Sequence, residues 1–342
     1  MSFSHLQTAQ RSLYRHRRTD HTGSLNERNL VLHIDRYTLP ARDGFALSVT
    51  AYRPAAPRYC LLINSATGID QRFYQHFARH AASRGAAVFS YDYRGIAGSR
   101  DAKWQGAAPS MAQWGALDMS SMIDHMPQDL PLAMLGHSVG GQLPGLVPNI
   151  ARVQALLGVA AQWGYWRLWP LRQQLRLAVM WYLAAPLAIR IFGKMPGWLM
   201  GGESLPLEVA REWSRWCRSP AYMSTEQGHP LRPYFANLKA PARFLCVSDD
   251  QGIAPERTVH TLASLYTSAQ VEMQTLTPQD WGLRTLGHFG FFKRSTPSAL
   301  WDQELAWLES ALKLDAVVRP VPLARKHDAP ARRSNCVVET ET

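Results

Sequence analysis

The stretch LPLAMLGHSVGG, residues 130–141, constrains the fold of this chain more than any other. A continuous apolar run, rather than an alternating one, marks a strand covered on both faces. The run ends in Gly136-His137-Ser138-Val139-Gly140, a G-x-S-x-G pattern. Glycines on either side of a serine permit a turn with no room for flanking Cβ atoms. The stretch therefore predicts a buried strand that ends by holding the Ser138 hydroxyl out at the sheet edge, with a helix beginning behind it. The pattern alone is weak, and the rest of the chain has to supply its partners.

Short apolar runs alternate with amphipathic segments along most of the sequence, which predicts an α/β architecture, a mostly parallel central sheet flanked by helices. The series starts with a hairpin: in RYTLPARDGFALSVTAYRP, Asp43-Gly44 lies between two alternating runs. Strands are expected at 59–64 (YCLLIN), 86–93, 130–136, 153–161, 242–248 and 271–276 (VEMQTL). Helices are expected near 73–81, where Phe73, Phe77 and Ala81 share a face, and at 111–126, 256–267 and 299–313. Between 162 and 238 no strand is convincing, and seven of the twelve tryptophans gather there. That segment reads as a helical cap inserted after the strand that follows Ser138. The expected organisation is a basic leader over 1–28, core over 29–161, cap over 162–238, core over 239–313, and a tail over 314–342 with little to bury.

With 46 % hydrophobic and 18 % charged residues in 342, the chain is globular. Its net charge of +11 raises nucleic acid as a partner, but between Ala161 and Ala240 ten Lys/Arg stand against four acids with no zinc-finger spacing, basic zipper or RNA-binding aromatic motif. A solvated basic face is the preferred reading, and no nucleic-acid partner is expected. The same basic, aromatic cap is a candidate for contact with an anionic substrate or a membrane surface. Its longest apolar run, Leu177 to Ile189, is interrupted by Pro186 and is too short to cross a bilayer, so no stable insertion is expected. Arg11, Arg15, Arg17 and Arg18 read as part of a solvated leader, with a transit peptide as the alternative, and no secretory signal precedes them. Cys60, Cys217, Cys246 and Cys336 form no CxxC pair; free thiols and a reducing, cytoplasmic location are expected. Oligomeric state is not encoded in any of these features.

Acyl transfer needs a nucleophile, a base, an acid to orient the base, and donors for the oxyanion. Ser138 is the candidate nucleophile. CVSDDQGIAP places Asp249 and Asp250 directly after a strand, at the edge where open α/β sheets carry their sites. TLGHFGFFKR places His288 in a loop after the last strand. The order Ser, Asp, His is that of α/β-hydrolases. Oxyanion donors are expected at the N–H after the nucleophile, Val139, and in the loop NSATGIDQRFY, where Thr67 is chosen and Gly68 relieves the turn. His76 and His80 have helical zinc-pair spacing, but Phe77 stands where a metalloprotease would have glutamate, and no metal or organic cofactor is expected.

From about Asp35 to Lys313 the chain resembles the α/β-hydrolase superfamily in its serine-aminopeptidase-like and monoglyceride-lipase-like branch. YDYRGIAGS, residues 91–99, is similar to that branch's D-x-R-G-x-G-x-S stretch. More narrowly it resembles a bacterial group of predicted α/β-hydrolases through GHSVGGQ, GYWRLWP, GGESLP, EWSRWCRSP and GHFGFF. The resemblance implies the fold and a Ser-His-Asp triad, gives Asp92 and Arg94 a structural role, and carries no substrate. Two departures stand out. Ser65-Ala66 replaces the usual His-Gly of the oxyanion loop, and Gln251, not Asp, stands four residues before Pro255. Asp250 is favoured as the triad acid, with Asp249 as rival. Some of Trp163, Tyr165, Trp166 and Trp169 are expected to face the site and bind an apolar acyl or aromatic group. The expected activity is cleavage of a carboxylic ester or related acyl bond in a small-molecule substrate. Amidase, aminopeptidase and acyltransferase chemistry are the alternatives on the same triad, and a catalytically silent scaffold is the alternative of another class.

Overall fold

The computed structural model describes residues 32–101 and 103–314. The expected leader, almost all of the expected tail, and Cys336 lie outside the described residues. Eight strands form one sheet in the order β1-β2-β4-β3-β5-β6-β7-β8. They are β1 His33–Pro40, β2 Ala46–Arg53, β3 Tyr59–Asn64, β4 Ala86–Tyr91, β5 Leu132–His137, β6 Ala155–Val159, β7 Ala242–Val247 and β8 Val271–Leu276. The β1–β2 hairpin turns at Gly44, whose φ of +89° suits the residue without a Cβ. β2 pairs antiparallel with β4, and every pair from β4 to β8 is parallel.

β3, β4, β5 and β6 are buried at every position, as continuous apolar runs demand when helices cover both faces. One apolar core lies under helix α1, Gln75–Ser83, and the closing helix Ser298–Ala311, through Phe77, Ala81, Leu300, Leu305 and Leu308. The other core lies on the opposite side of the sheet, under a helix over 111–125 that contains a wider i→i+5 turn at Trp114–Met119, and it continues into the insert between β6 and β7.

Two departures from expectation have local causes. Helix Glu256–Ala263 stops short of Thr267 because tight turns at Leu265 and Tyr266 bring the Tyr266 ring inward, where its hydroxyl donates to the Gly141 carbonyl at 3.1 Å. Pro186 does not break the apolar run of the insert. Residues Leu171–Phe192 form one 22-residue helix, because an i→i+5 turn at Met180–Ala184 precedes a new helical segment in which proline occupies one of the first positions. There its missing N–H costs no hydrogen bond. The helix is long and apolar enough to cross a membrane by length and composition, a correction to the length expected from the sequence.

Candidate active site

β5 delivers Ser138 in a backbone conformation that side chains rarely adopt, φ +53° and ψ −119°. The conformation is held from both sides: the Ser138 N–H donates to Val159 on β6 at 3.0 Å, and its carbonyl accepts from Gly141 at 3.0 Å. A Cβ on Gly136 would lie 2.5 Å from the Gly140 carbonyl oxygen, and one on Gly140 would lie 2.2 Å from the Asn64 oxygen. Both motif glycines are thus required by close backbone approach. Behind the serine the expected helix is a single turn, Val139–Gln142, which tightens into a 3₁₀ turn at Leu143–Leu146 containing Pro144.

His288 sits in a helical turn after β8, Gly287–Gly290. Its Nδ1 lies 2.6 Å from Asp250 Oδ2, both side chains being buried. Asp249 points elsewhere: its two carboxylate oxygens accept from the Leu286 and Gly287 N–H groups at 2.9 and 2.8 Å. Of the two neighbouring acids, one meets the imidazole and the other ties down the loop that carries it.

Ser138 and His288 line one cavity of about 180 Å³, together with Ala66, Thr67, Gln142, Gln162 and Trp169. The Ser138 hydroxyl donates to Gln162 Oε1 at 3.5 Å rather than to His288. Hydrogen bonds of this kind commonly close only around bound substrate. Gln162 Oε1 also accepts from Gln142 Nε2 at 3.2 Å, and the Tyr222 hydroxyl donates to Gln142 Oε1 at 2.7 Å. This polar wall was not anticipated from sequence. A signal was available, because Gln162 follows the carboxyl end of β6, the same edge that gave the aspartates.

In the loop after β3, the Ala66 N–H is engaged with the Tyr74 hydroxyl at 2.8 Å. Among the described residues, the Thr67 and Val139 N–H groups have no protein acceptor. The insert clamps this loop: Glu203 N–H donates to the Gly68 carbonyl at 2.7 Å, and a Cβ on Gly202 would lie 2.6 Å from that same oxygen. The GGESLP stretch is therefore shaped by its contact with the loop after β3.

Tyr74 and His137 connect these parts. His137 is fully buried, and that burial, reinforced by the neighbouring His288, holds its imidazole well below the usual value. It is neutral at pH 7. His137 Nε2 lies 2.9 Å from the His288 carbonyl oxygen, which can only accept, so Nε2 carries the proton. Nδ1 then accepts from the Tyr74 hydroxyl at 2.9 Å, and burial keeps that phenol protonated. One chain of hydrogen bonds runs from Ala66 through Tyr74 and His137 to the backbone of His288. Tyr74→Phe leaves the Ala66 N–H and His137 Nδ1 buried without partners. Urea unfolding should show a loss of about 1–3 kcal/mol, and kcat should fall about tenfold with KM little changed, since the variant displaces groups and removes no substrate contact.

Residues 55–183 match the family model for serine aminopeptidase, S33, a span that includes Ser138 and ends before Asp250 and His288. No curated protein matches the sequence. Among solved structures, a soluble variant of monoglyceride lipase from Saccharomyces cerevisiae superposes with a TM-score of 0.58 at 13% identity, over 83% of this chain and 96% of that one. A hypothetical protein from Pseudomonas aeruginosa gives 0.57 at 12% identity, over 86% and 100%. A thermophilic esterase from Thermogutta terrifontis gives 0.51 at 14%, over 81% and 99%. The chain has the α/β-hydrolase fold. Within it, the family match supports the serine-aminopeptidase-like branch.

Within this fold the four aromatic residues expected at the site divide. Trp169 lines the cavity, its indole N–H donating to the Gly252 carbonyl at 3.1 Å in the loop after β7. Trp163, Tyr165 and Trp166 do not line it, which corrects the expectation. Trp163 is held away by the Tyr222 ring, 5.0 Å centroid to centroid, and by the Arg232 guanidinium over its face. Trp166 lies in a 3₁₀ turn, beside Tyr182 and under Arg167, and Tyr165, the residue before that turn, is half-buried. Trp181, Trp213 and Tyr222 take the expected places in the cavity wall. The three described cysteines are free and buried, and burial pushes the Cys60 and Cys246 thiols up to about 12. His80 is engaged with Asp302 of the closing helix at 2.9 Å.

Proposed function

We propose that this α/β hydrolase cleaves carboxylic esters through an acyl-enzyme on Ser138. His288 Nε2 takes the Ser138 proton as Oγ attacks the ester carbonyl, and Asp250 holds the imidazole by Nδ1 and balances its positive charge. The tetrahedral oxyanion is received by the Thr67 and Val139 N–H groups. The intermediate collapses with the C–O bond breaking, and the His288 proton goes to the leaving alcohol. Water then repeats the sequence on the acyl-enzyme, losing its proton to His288 and releasing the acid and free Ser138. No metal or organic cofactor takes part.

The observation that most supports this reading is the His288–Asp250 pair, at 2.6 Å, opening on the same cavity as a serine held at positive φ. The cavity wall favours an apolar acyl or aromatic group, with Leu177, Met180, Trp181 and Trp213 around it. Among the described residues, none lining the cavity is acidic. An aminopeptidase would have to bind a charged α-amino group there without a counter-ion, which is costly in a largely apolar site. Esters of neutral acids are favoured over aminoacyl amides for that reason.

A panel of p-nitrophenyl esters, aminoacyl amides and thioesters tests the choice. The esters should be turned over at least about a hundredfold faster than aminoacyl amides, the range set by leaving one charge unpaired. A preference for aminoacyl amides would overturn the assignment. Transfer of the acyl group to an added alcohol faster than hydrolysis would make the protein an acyltransferase. The rate should rise with pH as a single group loses its proton, and His137, neutral throughout the range, contributes nothing to that rise.

A further inference from the structure

Helix α2, Leu171–Phe192, does different things on its two sides. On one side Trp181, Ala185, Ala188 and Ile189 are buried, and Leu177, Met180 and Trp181 roof the cavity that holds Ser138. On the other side Leu171, Leu175, Val179, Leu183, Leu187 and Ile191 face solvent at steps of four residues. Leu171 is 82% exposed and Leu175 73%. A step of four drifts forward by about 40° on an ideal helix, and the wider turn at Met180–Ala184 takes up part of that drift, keeping the series together. Trp198, 75% exposed, extends the patch just beyond the helix. A continuous apolar stripe of this length marks an interaction surface, where scattered surface leucines would not.

The charge around the stripe selects the partner. Arg167, Arg172, Arg176, Arg190 and Lys194 are exposed, and no Asp or Glu occurs between Gln162 and Gly202. A second copy presenting the same face would set these cations against each other, which is unfavourable. An anionic bilayer offers phosphates to the cations and acyl chains to the stripe. The buried inner side fixes the helix to the insert, so it lies along the surface instead of crossing it.

We propose that α2 docks the protein on an anionic lipid bilayer, with its leucine stripe at the acyl boundary and its arginines among the head groups. Docking stands on the exposed face alone; its consequence, that an ester dissolved in the bilayer reaches the cavity past the helix that roofs it, rests on the function proposed above. The test uses the full chain carrying Ser138→Ala, floated with vesicles of phosphatidylcholine with or without phosphatidylglycerol. The protein should float with the anionic vesicles and bind the neutral ones about tenfold or more weakly. Adding Leu175→Glu and Leu183→Glu should weaken anionic binding by about tenfold or more, with an unchanged circular dichroism spectrum and thermal midpoint. No flotation, or flotation unaffected by the two glutamates, would overturn the proposal. So would a concentration-dependent dimer that the glutamates dissolve, since the stripe would then be covered by a second copy. Without Ser138→Ala, the two-glutamate variant should match the wild type on a water-soluble short ester. Failure of the unaltered stripe to bind anionic vesicles, with the wild type active on that ester, sinks the docking alone, and vesicle binding without any esterase activity sinks the hydrolase assignment alone.

Discussion

Ser138→Ala should lower kcat on a p-nitrophenyl ester by at least about 10⁴-fold, leaving a residue of catalysis that comes from binding and the oxyanion donors. Removing a serine hydroxyl takes away the bond-forming atom, so no rearrangement of the cavity restores the route. Asp250→Asn should cost about 10³–10⁴-fold, because an amide at that place no longer favours the imidazole tautomer with its proton on Nδ1 and no longer balances the imidazolium. Asp249→Asn should behave differently. Its amide keeps one acceptor for the Leu286 and Gly287 N–H groups, so kcat should fall far less than in Asp250→Asn. Steady-state kinetics on the three variants checks the division of labour, and equal losses in Asp249→Asn and Asp250→Asn would contradict it.

The second large effect lies outside the cavity. Arg94 is fully buried, and its Nε and backbone N–H meet the Asp118 carboxylate at 2.7 and 2.9 Å, while its outer nitrogens reach Asp43 in the β1–β2 hairpin at 2.8 and 3.1 Å. Burial pushes the Asp118 carboxyl up to about 7, and the Arg94 charge keeps it from rising further. Arg94→Met removes the cation and leaves Asp118 buried without it, a change that should destabilise the fold by about 3–5 kcal/mol. The pH dependence has a definite sign. Above about pH 4 the unfolded chain has lost the Asp118 proton, while the folded chain keeps it until its own higher value is reached, so folding stability falls as pH rises through that window. In the wild type the fall ends near pH 7, where folded Asp118 ionises beside Arg94. In the variant it continues upward, so the deficit measured by urea unfolding should be larger at about pH 8 than at about pH 5.5. A deficit independent of pH would mean that Asp118 does not bear the loss.

How much could be read from residues alone follows from how local each determinant is. YCLLIN and VEMQTL coincide with β3 and β8 residue for residue, because continuous or bounded apolar runs decide strands without help from distant contacts. The hairpin at Asp43-Gly44 is equally local. The strand ends that carry Ser138, the Asp249-Asp250 pair and the His288 loop were legible for the same reason, since the carboxyl edge of a parallel sheet is fixed once its strands are known. The two acids could not be separated, because only the distant loop around His288 distinguishes them. Trp169 differs from Trp163 through contacts with Gly252 and Tyr222, far along the chain from both. Pro186 misled because its effect depends on a widened turn just before it, which residue preferences do not reveal. Gln162 escaped notice because a lone glutamine carries no chemical signature until a hydroxyl is found beside it.

Under the proposed mechanism Ser138 Oγ is the atom acylated. The most direct measurement is to treat the wild type with a fluorophosphonate probe and locate the adduct by peptide mass spectrometry. One phosphonylated residue is expected, Ser138, with labelling slowed in Asp250→Asn and absent in Ser138→Ala. An adduct on another residue, or labelling that survives in Ser138→Ala, would contradict it.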